Sequence, residues 1–106
     1  MILYNVTVKV EKEIERDWLD WMQQVHIPDV MQTGLFSEYR LNRILHEEPD
    51  GATFAIQYLC ANLEAFQQYQ REHAQRLQKE HAQRYENRYV AFRTLMEVIQ
   101  QDKHDQ

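Results

Sequence analysis

Three of the five histidines in this 106-residue chain stand in patterned surroundings. An imidazole titrates near pH 6.5 and can move a proton at neutral pH without a cofactor. His26 follows Val25 and precedes Ile27-Pro28, where proline disfavours helical geometry in the residue before it. At a helix C-terminus the dipole favours the imidazolium. There His26 would serve as general acid or base, or cap a free carbonyl. Asp29 would orient it, or belong to the turn. His73 and His81 fall on one stripe of a second helix with Leu77 between them. Eight residues place them roughly 12 Å apart along the axis, too far to share one metal ion, whose ligands sit about 2 Å away. They would form the floor of a ligand site, or be buried neutral imidazoles bonded to Tyr4 or Tyr58. With Trp21, these tyrosines make the aromatic set that small-ligand pockets favour.

Other chemistries find no support. Cys60 is a single cysteine, so neither an intramolecular disulfide framework nor a multi-cysteine zinc site is expected. Gly34 and Gly51 are the only glycines, too few for a phosphate cradle, and no Ser-His-Asp or paired-carboxylate signature is present. No cofactor and no metal are expected. Twelve basic and 17 acidic residues give a net charge of −5, all of it within residues 1–60, and no basic stripe for nucleic acid. No apolar run approaches the ~20 residues that span a bilayer, and no signal-peptide pattern opens the chain. A lone thiol suits the cytoplasm.

The elements that must position these groups follow from periodicity. Ile2 to Val10 alternates apolar and polar residues, which marks a strand with two different faces. Glu11 to Val25 changes to helical period, with Ile14, Trp18, Trp21, Met22 and Val25 on its stripe. Asp29 to Thr33 adds a turn that Gly34 can end in a left-handed cap. Phe36 to His46 and Ala52 to Cys60 read as strands joined by the turn Glu47-Glu48-Pro49-Asp50-Gly51, in which Gly51 is free to adopt positive φ. Asn62 caps a helix to about Tyr85 with Leu63, Phe66, Gln70, His73, Leu77 and His81 inward. Arg88 to Ile99 is the last strand.

The order β-α-β-β-α-β predicts an α+β, ferredoxin-like fold: a four-stranded antiparallel sheet with two helices on one face. One domain spans 1–99, with a polar tail over 100–106. Leu3, Ala55, Leu59, Ala91, Leu95 and Ile99 are expected to make the helix-free face half apolar, and a homodimer through that face would cover it. Arg93 and Glu97 are expected to share a seam network with Asn5, Thr7 and Gln57.

In this element order, Trp21-Met22, His26-Ile27-Pro28-Asp29-Val30, Gly34-Leu35-Phe36 and Val90-Ala91-Phe92-Arg93-Thr94-Leu95 resemble a small bacterial family of unknown function. That family is grouped with the dimeric α/β-barrel proteins. The resemblance covers nearly the whole chain and implies a fold and a dimer, without a reaction. The wider superfamily includes cofactor-independent quinone-forming monooxygenases, haem-degrading monooxygenases, muconolactone-type isomerases and stress-responsive barrel proteins. Several carry a histidine near the end of the first helix, where His26 stands. Asn5, Tyr69 and His81 resemble the set of the haem-degrading members, with Tyr69 where that group has Trp.

The expectation is a homodimer with a small-molecule cleft between sheet and helices, resembling cofactor-independent monooxygenases and isomerases that act on an aromatic or cyclic ligand. A non-catalytic module that binds a metabolite or a protein is the alternative, and a haem-degrading type a minor one. A polar cleft reaching His26 favours the enzyme; a filled core favours the module.

Overall fold

The computed structural model describes residues 1–46 and 48–102. Of the expected hairpin turn Glu47 lies outside them, as do residues 103–106 of the tail. Strands β1 (Ile2–Glu11), β2 (Glu38–Arg43), β3 (Gly51–Cys60) and β4 (Tyr89–Glu97) form one antiparallel sheet in the order β2-β3-β1-β4. The two helices cover one sheet face, so the architecture is the expected α+β, ferredoxin-like one.

The alternation of β1 sets the layering. Tyr4, Val8 and Val10 are buried beneath the helices beside Phe54, Ile56, Tyr58 and Cys60 of β3. Trp18, Met22, Ile27 and Val30 close over them from the first helix; Phe66, Tyr69, Leu77 and Tyr85 do so from the second.

Both helices contain a widened π turn. The first follows a 3-10 turn over Lys12–Ile14 and consists of Glu15–Trp21, the π turn Met22–His26, and Ile27–Met31. Where a bend or break was expected before Pro28, the helix continues through a π turn. The Ile27 N–H bonds the Met22 carbonyl five residues back, and the wider turn accommodates a ring that donates no hydrogen bond. The buried stripe therefore steps from Met22 to Ile27, and Val25, expected inward, is exposed. Gly34 ends the helix as expected, at φ 77°.

The second helix consists of Leu63–Tyr69, the π turn Gln70–Ala74, and Gln75–Arg84. Asn62 caps it, accepting the Ala65 N–H at 2.9 Å. Its stripe steps from Tyr69 to Ala74, so Leu63 and Gln70 are exposed rather than inward.

Several strand expectations change: β2 spans Glu38–Arg43 rather than Phe36 to His46, and β4 spans Tyr89–Glu97 rather than Arg88 to Ile99. Val6 lies opposite Arg93, so Tyr89, Ala91, Arg93, Leu95 and Glu97 share the helix side, while Val90, Phe92, Thr94 and Met96 face away. Ala91 and Leu95 therefore leave the helix-free face, and Arg93 and Glu97 are separated from Asn5, Thr7 and Gln57. Both parities of β4 mix polar and apolar residues, so its pattern carries no face. Gly51 does not adopt positive φ; a Cβ there would run into the Val10 carbonyl across the β1–β3 ladder. Among the described residues, no helix is long and apolar enough to cross a membrane.

Candidate functional site

Between the first π turn, the second helix and the sheet, a cavity of about 30 Å³ remains. The sheet contributes Tyr4, Tyr58 and Arg93, the first helix Met22 and His26, and the second Tyr69, Gln78 and His81. His26 is the last residue of one π turn and Tyr69 immediately precedes the other. π turns concentrate at functional sites. The volume is room for one or two waters.

His81 is fixed by its neighbours. The Trp18 indole N–H donates to its Nε2 at 2.9 Å, so neutral His81 carries its proton on Nδ1. Its ring meets Tyr89 edge-on, centroids 4.5 Å apart. Burial, then the charges of His26 and Arg93, lower its pKa to about 4. Tyr4 and Tyr58 were the expected bonding partners; the indole takes that place.

The His26 ring lies 5.7 Å from that of His81, centroid to centroid. Its Nδ1 is buried without a hydrogen-bond partner among the described residues. A helix end was expected to favour the His26 cation. The helix continues past it, and burial lowers its pKa to about 4 against the raising effect of Asp29. No hydrogen bond or ion pair joins the half-buried Asp29 to it.

Burial pushes the Tyr58 and Tyr69 hydroxyls well above the ordinary tyrosine range. It also raises Tyr4, while Arg93 opposes the shift. The Arg93 Nε donates to the Tyr4 hydroxyl at 3.1 Å. At neutral pH the cavity thus presents neutral imidazoles and phenols, one amide and one cation.

The structure brings together Tyr4, Tyr58, His26 and His81. Trp21 flanks both imidazoles, with centroids 5.1 Å from His26 and 5.8 Å from His81, without lining the cavity. His73 is elsewhere: half-buried, with its Nδ1 3.2 Å from Arg76, it borders an outer groove. The π turn rotates it off the stripe that its spacing to His81 implied. Gln78 escaped the sequence reading, although it precedes His81 by three residues and so shares its helix face.

The residues do not fit haem. Asn5 turns to the helix-free face, where its Nδ2 donates to the Thr7 hydroxyl at 2.9 Å. Tyr69 and His81 lie on the opposite side of the sheet, His81 Nε2 is engaged by Trp18, and the cavity is far smaller than a porphyrin. Among the described residues, no group of three or more His, Cys, Asp or Glu could hold a metal ion.

Solved structures share this fold. A dimeric ferredoxin-like protein from an uncultured marine organism aligns with a TM-score of 0.73 at 12% identity, covering 98% of this chain and 100% of its own. MhuD, solved with manganese protoporphyrin IX bound, gives 0.72 at 13% identity, covering 98% and 100%. SnoaB, a cofactor-independent oxygenase from Streptomyces nogalater, gives 0.67 at 11%, covering 94% and 95%. At such identities the likeness establishes the fold alone. No curated protein matches the sequence. Over residues 1–99 the sequence matches Domain of unknown function (DUF4286), and the chain belongs to that family.

Proposed function

We propose that the protein binds a small aromatic or cyclic molecule at this cavity and transfers a proton through His26. The observation that carries this reading is the buried Nδ1 of His26, unpartnered among the described residues, on a side chain that lines a cavity together with His81, Tyr58 and Arg93. With its proton on Nε2, His26 offers the Nδ1 lone pair to an acidic C–H or O–H of the ligand. The ligand is left as an anion beside Arg93 while His26 becomes imidazolium, and return of the proton to another atom completes an isomerisation. Deprotonation would equally open a cofactor-independent oxygenation, with dioxygen as co-substrate. The likeness to SnoaB supports this class by fold only.

The small cavity favours a second reading, a non-catalytic binding module, because only the polar end of a ligand enters it as it stands. A thermal-shift screen of aromatic and cyclic acids separates the readings, since specific binding raises the melting temperature. A ligand that is turned over, with loss of turnover in His26→Gln, supports the enzyme. Binding without turnover supports the module, and unchanged affinity and turnover in His26→Gln remove His26 from the site.

The functional unit in this proposal is a cytoplasmic homodimer paired through the helix-free sheet face. Val90 and Phe92 are 68% and 63% exposed there, beside Met96, Leu3 and Leu59. A ferredoxin-like neighbour described as dimeric supports pairing as such, without bearing on the face.

A further inference from the structure

The cavity has an outer counterpart. Tyr4, Gln78 and Arg93 line it and also line a surface pocket of about 330 Å³. Leu63, Phe66 and Leu95 supply the apolar walls of that pocket, and Gln67, Gln70 and Thr94 its polar ones. This volume lies in the range of small-ligand sites, which the inner cavity does not reach.

The charge of the two chambers departs from that of the chain. The protein carries 17 acidic residues, yet no Asp or Glu lines either chamber, and Arg93 is the one Lys or Arg in both linings. Its Nε is held by Tyr4, and no ion pair joins it to a carboxylate of the described residues. A guanidinium without a carboxylate partner, fixed at the junction of two chambers, presents the planar donor pair that matches a carboxylate.

The geometry points to Arg93 as the anchor for a small organic carboxylate whose apolar body rests against Phe66, Leu63 and Leu95. This deepens the proposed function and rests on it in one respect: a carboxylate held at the junction brings the polar end of the ligand to the chamber that His26 lines. It also assigns the pocket an electrostatic preference for anions over neutral molecules of equal shape.

Amide NMR titration of the full chain with benzoate, and with benzyl alcohol as its neutral counterpart of similar size, tests this. Benzoate is expected to shift the Phe66, Thr94 and Leu95 amides and to bind about tenfold more tightly than the alcohol. Arg93→Gln abolishes the preference, Arg93→Lys retains part of it, and Arg71→Gln, the same charge change on the outer groove, leaves it intact. Equal affinities in the wild-type protein, a preference that survives Arg93→Gln, or no shift at millimolar benzoate overturns the anchor. The imidazole resonances separate this from the proposed function. Benzoate that depends on Arg93 but leaves His26 and His81 unperturbed supports the anchor and counts against proton transfer. Shifts at both imidazoles that are indifferent to Arg93→Gln reject the anchor and leave the inner site standing.

Discussion

The Trp18 indole nitrogen and the His81 Nε2 are 2.9 Å apart, joined by a hydrogen bond that ties the first helix to the second. Trp18 is fully buried and packs on Phe54 with ring centroids 4.9 Å apart. An indole can only donate, so His81 must accept and remain neutral at that nitrogen. Protonating Nε2 would set two donors against each other. This opposes the cation in the same direction as burial does.

Trp18→Phe keeps a ring against Phe54 and removes the donor. The loss combines an unsatisfied imidazole nitrogen with a small cavity, and destabilisation of about 2–4 kcal/mol is expected in urea unfolding. The neutral form of His81 also loses its bond, so its pKa rises from about 4 toward the ordinary value. An imidazole NMR titration reads this directly; an unmoved His81 would show that burial alone sets its charge.

Stability should fall as the solution is acidified from about pH 6.5 toward 4. His26 and His81 both titrate near 4 when folded, against 6.5 for an ordinary histidine. Between these values the unfolded chain binds more protons, so stability is complete above the upper value and is lost on the way down. Partial solvent access and the mutual coupling of the rings reduce the total to about 2–4 kcal/mol. Urea midpoints measured across this range should show the slope, and His26→Gln should flatten it. A midpoint constant from pH 7 to 4.5 would contradict the buried neutral pair.

What could be read in advance depended on whether a pattern was local. β1 and β3 have one apolar parity each, and both were legible to within a residue of their ends. The π turns were not. Each inserts one residue into the stripe, and neither Gln23-Gln24-Val25 nor Gln70-Arg71-Glu72 differs in type from an ordinary helix surface. That single insertion moved Val25 and Leu63 outward, brought Tyr69 in, and took His73 away from His81. The Trp18–His81 bond joins residues 63 apart, a pairing that only the crossing of two helices creates. Arg93 was visible as a charged residue on a strand, but its face depended on the β1–β4 register.

The proposed dimer predicts a light-scattering mass twice the 13.0 kDa of the chain. Phe92→Glu puts a charge on the helix-free face, on the edge strand β4, without touching the core, because Phe92 is already exposed. The variant should remain folded by circular dichroism and run as a monomer. A wild-type monomer at micromolar concentration would remove the dimer from the proposal.

Tyr4 separates packing from anchoring. Its ring is buried against Phe66, with centroids 4.9 Å apart, and stacks on Tyr58 at 6.1 Å. Its hydroxyl does something else: it accepts the Arg93 Nε–H at 3.1 Å. Tyr4→Phe keeps every ring contact and removes the hydroxyl that both Arg93 and Gln78 approach. Since Arg93 is exposed, water replaces the lost partner, and the cost should be about 0.5–1.5 kcal/mol. Tyr4→Ala empties the aromatic cluster and should cost about 3–5 kcal/mol. The two variants should diverge differently in binding. A guanidinium released from Tyr4 must be ordered by the ligand itself, so benzoate affinity should drop severalfold in Tyr4→Phe while benzyl alcohol affinity holds. If Tyr4→Phe destabilises the protein as much as Tyr4→Ala, the hydroxyl is part of the core, and its hold on Arg93 is incidental to binding.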